Sequence, residues 1–526
     1  MCSLYLKKIR RMKNRSLVLC LTVTLTIGYL SGCDKDITER ALPNFEPASV
    51  DATGGTWRTV VLNSATDVSI PAATTTGSAE YLLEIGQIVQ LQQNISGADR
   101  ALIDQWKGSG ILRWNEKMRE LVAKYNLPPE PNPDGTYPAP SAANPGALPQ
   151  FPFANPPYAS RAYAYLSVAV YDALVACWHY KFLNNRPQPA VASNLVQAME
   201  PYQINLPGYP SEDAVVAQVA FRLMKVLFPL DSAMLLDMAN GQKRAKLVSG
   251  IASPSDISAG EAIANAVADK VLARFRTDGM GQAGGNPELW KKLSTDALAR
   301  GISDPWQSTE APGRPPMLPF FGNVKMWTLN TAQRDSLRPP PPPAIGSPAF
   351  NTDMEELRGY SKQPTAEQWR IAVFWADGLS TYTPPGHWNE IAAESIARHQ
   401  LSELRTARAL SLMNMALCDA GICCWDTKAY YYYPRPTQMD ANIKTIGLPN
   451  FPSYTSGHST FSGAAAEVLA YLFPEEASRF RAMAAEASLS RIYGGIHYRF
   501  DCEVGLKCGK DIGSFSVKWG QSDGSH

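Results

Sequence analysis

The 526-residue chain has no zinc-type cysteine pairing, no run of alternating apolar and polar residues, no excess of charge and no evident linker. Each absence excludes something. Its nine cysteines, at positions 2, 20, 33, 177, 418, 423, 424, 502 and 508, contain no Cys-x-x-Cys pair, which rules out a zinc ribbon or finger. The vicinal Cys423-Cys424 and the scatter of the others do not form a disulfide framework, and spacing alone leaves the redox state of the six thiols beyond Cys33 open. A net charge of +1 gives no basic footprint for nucleic acid. Without period-two alternation there is no sheet to expect. The length would allow two or three domains, yet no seam divides them.

The first residues are distinctive. Lys7, Lys8, Arg10, Arg11, Lys13 and Arg15 precede an apolar run from Leu17 to Tyr29, followed by Leu30-Ser31-Gly32-Cys33. This is the pattern of a bacterial lipoprotein signal. The uncharged stretch from Ser16 to Gly32 is 17 residues, fewer than the roughly 20 a spanning helix needs. The expectation is removal of residues 1–32, lipidation of Cys33 and attachment to the cell envelope, on the periplasmic or outer-membrane face, through a lipid anchor. Cleavage removes six cations and no acids, so +1 becomes −5 and nucleic-acid binding becomes still less favourable. Residues 33–77 have the Ser/Thr/Gly/Ala bias of an extended tether.

From Glu80 onward apolar residues recur at three and four, as in Tyr81-Leu82, Ile85, Ile88-Val89 and Leu91. That period is helical. It returns over Ser160–Tyr180, Glu212–Phe228, Ala259–Phe275, Glu367–Trp375, Ile391–Cys418 and Ser459–Phe473. The pattern predicts an all-α helical bundle with long proline-rich loops. An N-terminal helical region and loop would span residues 78–157, and the main helical domain 158–526. The loop from Leu127 to Pro157 and the five prolines 339–343 are long enough to wrap a surface or frame a site. Gly279-Met280-Gly281-Gln282-Ala283-Gly284 spells a dinucleotide fingerprint, but it follows a helix instead of a strand and reads as a loop.

Three short segments between residues 425 and 510 concentrate cations, histidines and small residues. In Lys428-Ala429-Tyr430-Tyr431-Tyr432-Tyr433-Pro434-Arg435-Pro436, a separation of seven puts Lys428 and Arg435 on one face if the chain stays helical. Such a pair suits an anion. In Phe451-Pro452-Ser453-Tyr454-Thr455-Ser456-Gly457-His458-Ser459, the residues Ser456, Gly457 and His458 sit where a helix begins, so free N–H groups and the helix dipole favour an oxyanion there. In Ser490-Arg491-Ile492-Tyr493-Gly494-Gly495-Ile496-His497, Arg491 ends one helix and His497 starts another, on which Asp501 shares its face four residues later. A lone Lys/Arg pair is usually a solvated face and a lone buried histidine is usually structural. Three such segments in this order point instead to a tetrahedral-oxyanion pocket with two histidines.

These residues resemble the superfamily that joins type 2 phosphatidic acid phosphatases, bacterial class A acid phosphatases and vanadium-dependent haloperoxidases, and in particular bacterial haloperoxidase-like lipoproteins. The signature is Lys-x6-Arg-Pro, Pro-Ser-Gly-His and Ser-Arg-x5-His, with Thr455 here in place of a proline. The resemblance implies that Lys428, Arg435, Ser456, Gly457 and Arg491 bind the oxyanion and that His497 bonds its central atom, vanadium if vanadate is the cofactor. It also implies that Asp501 orients His497 and that His458 is the general acid or base. Trp425 and Phe451 resemble the aromatics lining the halide side of haloperoxidases. Pro384-Pro385-Gly386-His387-Trp388-Asn389 is similar to a segment of bacterial relatives, which makes His387 a further candidate.

The same pocket serves two reactions, because vanadate and phosphate share charge and shape. One implied activity is a haloperoxidase that carries vanadate and takes hydrogen peroxide and halide, with Lys428 polarising the peroxide. The alternative is an acid or lipid phosphatase acting on a phosphoester through a phosphohistidine, with no cofactor. A third possibility is a lipid-anchored protein that holds an oxyanion without turnover, although binding alone would not require both histidines and Asp501. Nothing in the sequence fixes the oligomeric state.

Overall fold

The computed structural model describes residues 47–526. Among the described residues there is no strand, and the all-α expectation holds. The leader, Cys33 and the first part of the 33–77 stretch lie outside the described residues.

Numbering covers the helices of nine or more residues. Helices α1 (Ala79–Gln93), α2 (Gly97–Trp106) and α3 (Gly110–Tyr125) come first, followed by the long α4 (Pro156–Asn184). Next are α5 (Glu212–Leu227), α6 (Ser232–Val248) and α7 (Pro254–Arg276), then α8 (Pro287–Ala299), α9 (Pro348–Lys362) and α10 (Ala366–Phe374). The C-terminal layer is α11 (Thr383–His399), α12 (Glu403–Tyr431), α13 (Gly457–Leu472), α14 (Ala477–Tyr493) and α15 (Arg499–Gly520).

The two 29-residue helices α4 and α12 form the centre, and most of their residues are buried. A helix buried on all faces needs apolar or small residues all round, as both sequences have. Local signals set their limits. Asn155 Oδ1 caps α4 by accepting from Tyr158 N–H, and Pro156 occupies the first turn, where a missing N–H costs nothing. Each helix also carries a buried aspartate that gathers N–H groups from a loop. Asp172 accepts from Val60, Val61 and Leu62, and Asp419 from Trp327 and Thr328. Burial raises both carboxyls to about 6 against the ordinary 3.8.

Two expectations need correction. The described part of the 33–77 stretch is not an extended tether, because Trp57, Leu62, Ala65 and Val68 are buried in the main core and the turn at 60–62 is pinned to Asp172. Composition missed this, because a few well-placed apolar side chains suffice to dock a polar segment. The expected single helix Ile391–Cys418 is two helices. Gln400 takes a left-handed conformation (φ 48°) that ends α11, and Ser402 Oγ caps α12 by accepting from Arg405 N–H.

The helices that follow the two histidine motifs, α13 and α15, pack backbone to backbone. A Cβ on Gly509 would lie 2.1 Å from Thr460 O, and one on Gly463 2.3 Å from Leu506 O. Glycine at these positions permits the close approach that brings the second and third motifs together. The six thiols from Cys177 to Cys508 are free, and all but Cys508 are buried.

Candidate active site

Lys428 lies in the last turn of α12, and Tyr432, left-handed at φ 47°, ends the helix. The helix therefore does not carry Arg435 on the same face, as the spacing had predicted. Arg435 instead sits in extended backbone after a chain reversal and comes back to the site from outside the helix. Both cations then converge on the 451–453 segment. Lys428 Nζ donates to Pro452 O and Ser453 O, both at 2.7 Å, while Arg435 Nε donates to Phe451 O at 3.0 Å. The Phe451 ring lies 5.0 Å from Lys428 Nζ and 4.9 Å from the Arg435 guanidinium, and Trp425 packs on it at 5.0 Å between centroids. The two aromatics thus form a dry wall over the cations.

Ser456 is the N-cap of α13, its Oγ accepting from Ser459 N–H. The N–H groups of Gly457 and His458 follow in the first turn, where a helix has no i−4 carbonyl to offer them. A Cβ on Gly457 would meet the Trp425 ring at 3.7 Å, so the aromatic wall and the helix terminus border one another.

His497 precedes α15 instead of starting it, since the helix begins at Arg499 with Tyr498 as N-cap. The pair with Asp501 forms nonetheless, through cap geometry. Asp501 Oδ2 accepts from His497 Nδ1 at 2.8 Å, from Ser453 Oγ at 2.5 Å and from Tyr498 N–H at 3.3 Å. That fixes Nδ1 as the protonated nitrogen and leaves the Nε2 lone pair to accept from Arg435 Nη1 at 3.1 Å. Ser453 also lies against the His497 ring, its Oγ 3.3 Å from Nδ1.

Arg491, in the last turn of α14, donates from Nε to Ser490 Oγ at 2.8 Å and from Nη2 to Ala372 O at 3.2 Å, at the end of α10. Beside it Asp377 faces two histidines. Its carboxylate is 3.0 Å from His387 Nδ1, and its Oδ2 is 4.0 Å from His458 Nε2. His387 also stacks on Trp375, with centroids 4.5 Å apart. The sequence-selected site residues among the described residues are therefore brought into one neighbourhood. Sequence reasoning missed Asp377 and Ser453. Ser453 lies inside the quoted motif and could have been weighed, but Asp377, in a loop far from any motif, carries no local signal.

The electrostatics follow from burial. Desolvation lowers Lys428 from 10.5 to about 7, and Arg435 and Arg491 from 12.5 to about 10. Desolvation, aided by Arg491, pushes His458 well below 6.5, and desolvation with Arg435 and Lys428 does the same to His497. Burial raises Asp501 from 3.8 to about 7. None of the three cations has a carboxylate within ion-pair distance among the described residues. Asp501 offsets part of the burial cost of Lys428 and Arg435, and Asp377 part of that of Arg491, but desolvation still dominates, and a tetrahedral oxyanion would relieve what remains.

Comparison with known proteins agrees with this geometry. Residues 409–522 match the family model of the PAP2 superfamily. A vanadium chloroperoxidase from Curvularia inaequalis is 30% identical over 130 residues, which cover 18% of this chain and 21% of that protein, so the chain spans about a fifth of that relative's length in the match. Among solved structures, a bacterial vanadium-dependent iodoperoxidase superposes with a TM-score of 0.56 at 25% identity, covering 77% of this chain and 94% of that one. An apo-form bacterial vanadium-dependent chloroperoxidase does so with a TM-score of 0.50 at 15% identity, covering 70% and 94%, and shares the fold.

Proposed function

We propose, from this haloperoxidase-like fold and PAP2-type site, that the chain is a vanadate-dependent haloperoxidase that uses hydrogen peroxide to oxidise a halide. The observation that carries the reading is the set of three buried cations, none within ion-pair distance of a carboxylate among the described residues, around His497 Nε2, whose lone pair is met only by an Arg435 N–H. That donor set fits vanadate. Lys428, Arg435, Arg491 and the first turn of α13 would hold its oxygens and His497 Nε2 its central atom. When bound, vanadate supplies Lewis-acid activation of peroxide.

The chain's own residues do the rest. Asp501 holds the His497 tautomer and ring, and the Arg435 N–H that meets Nε2 in the anion-free site would pass to an anion oxygen. Trp425 and Phe451 keep water from the cations, which strengthens their field. His458 is neutral at neutral pH, so its Nε2 can take a proton from peroxide and return it as water leaves. The net reaction consumes peroxide, halide and a proton and yields hypohalous acid and water; the O–O bond breaks and the halide loses two electrons.

A phosphatase acting through a phosphohistidine is the second reading, favoured by the nucleophilic Nε2 of His497 and by the family match. It asks His458 to be protonated for the leaving oxygen, and burial with Arg491 disfavours that form. The deciding experiment assays hydrogen peroxide with bromide or iodide, with and without vanadate, beside a phosphomonoester. Vanadate-dependent halide oxidation supports the first reading. Phosphate release without it overturns the first in favour of the second.

The same proposal includes export and lipid anchoring at Cys33, which rest on the leader sequence. Labelled palmitate entering the wild-type chain and not Cys33→Ala would support this, and equal labelling would refute it.

A further inference from the structure

A second cavity, of about 530 Å³, lies beside the oxyanion pocket and belongs to none of the groups described above. The long loop 127–157, the end of α7, the turn at 279–285 and the segment 314–318 enclose it. Phe151, Phe153, Tyr158, Phe275, Trp290 and Met317 are among its walls, together with several prolines whose fixed backbones keep it pre-formed. The polar tips of the amphipathic walls are already satisfied elsewhere. Tyr158 Oη donates to Leu227 O, Trp290 Nε1 to Gly284 O and Tyr137 Oη to Pro312 O. Arg161 is paired with Asp278 at 2.6 Å, its guanidinium 3.7 Å from the centre of the Phe275 ring. Arg314, also on the wall, is paired with Glu310 at 2.6 Å while its Nε has no partner among the described residues, so an occupant meets ring faces, aliphatic edges and that single N–H donor, with the charges of Arg161 and Arg314 already paired.

This cavity borders the Trp425–Phe451 wall through Pro316 and Met317. Met317 lines both the cavity and the small cleft formed by Trp425, Lys428 and Phe451. Trp425 Nε1 donates to Met317 O at 3.0 Å, and Asn450, on the cavity wall, is followed directly by Phe451. Pockets of roughly 300–1,000 Å³ with apolar walls suit small organic ligands.

We propose that this cavity binds an uncharged aromatic molecule of indole or naphthalene size. Its role rests on the haloperoxidase reading: the molecule is the acceptor of the oxidised halogen. A ring carbon attacks the halogen of hypohalous acid, the C–X bond forms as the O–X bond breaks, and the ring proton leaves with the hydroxide as water. Placing the ring on the far side of the Trp425–Phe451 wall shortens the path of a reactive product.

Indole is a suitable probe, titrated into the full chain without vanadate or peroxide. Gly281 and Gly284 line the cavity, lie outside the left-handed φ region, and a Cβ on either meets nothing within 4 Å, so Gly281→Phe and Gly284→Phe add a ring at the cavity's edge without backbone strain. Saturable indole binding to the wild type is expected, at least tenfold weaker in both variants, while the phosphate-induced rise in thermal midpoint stays intact as proof of fold and of the oxyanion site. No saturable binding, or equal affinity in folded variants, overturns the proposal. With vanadate, peroxide and bromide, the KM for indole halogenation should rise at least tenfold in the variants while halide oxidation is unchanged. Binding without any halide oxidation would leave the cavity standing and overturn only the acceptor role.

Discussion

Replacing Lys428 with methionine isolates what a buried cation without an ion pair does. Its fall from 10.5 to about 7 corresponds to about 5 kcal/mol of unfavourable charge burial, at ~1.36 kcal/mol per factor of ten in proton affinity. The sign matters. The folded value is below the unfolded one, so the cost is full below pH 7 and disappears as pH rises from about 7 to 10.5. Methionine removes that cost but leaves Pro452 O and Ser453 O without their donor, a loss of about 1–3 kcal/mol each. The two effects nearly cancel, so at pH 6 the anion-free Lys428→Met protein should unfold within about 3 kcal/mol of wild type, in either direction. Anion stabilisation, by contrast, should fall clearly, because one of the three cations that hold the anion is gone. Wild type with sulfate at a hundred times its Kd should gain about 2.7 kcal/mol, and this gain should shrink as pH rises above 7 and Lys428 gives up its proton. Sulfate is the better probe because its own charge is constant over this range. Thermal midpoints with and without sulfate at pH 6 and 9, for both proteins, provide the check. A large destabilisation of the anion-free variant, with the sulfate response retained, would refute the argument that Lys428 is held for an anion.

Vanadate and phosphate should compete for one site, and Arg491→Ala should weaken both together by roughly 10-fold or more with helical content unchanged; independent binding of the two would separate the sites. Asp501→Asn should keep the fold and some anion binding but lower turnover roughly 10- to 100-fold, the usual scale for a group that orients a histidine, and wild-type turnover would mean another group holds His497. Asp377→Asn removes the carboxylate 4.0 Å from His458 Nε2 that favours the charged imidazole, so the limb of the pH–rate profile assigned to His458 should move to lower pH, and an unmoved limb would exclude coupling between them. Asp419→Ala strips the acceptor from two loop N–H groups and should cost about 2–4 kcal/mol in urea unfolding, with no effect expected if water replaces the carboxylate.

By itself the sequence determined the helical class, the start of α13 at Ser456-Gly457 and most of the residues that the fold gathers into the candidate site. Those features are local: a period of three to four needs only one helix to express it, and a capping serine followed by glycine acts within a single turn. The tertiary structure decided what depends on distant partners. Lys428 and Arg435 meet because Tyr432 reverses the chain and Phe451, Pro452 and Ser453 supply carbonyls to both, not because they share a helical face. The 47–77 segment is docked because Asp172, over a hundred residues away, accepts its N–H groups. Asp377 reaches His387 and His458 only because α11, α13 and the loop after α10 are packed together, and no pattern around residue 377 encodes that arrangement. A side chain's role in such a site is set by which carbonyls, charges and rings surround it after packing, and those neighbours come from segments too far apart in the chain for any local periodicity to join them.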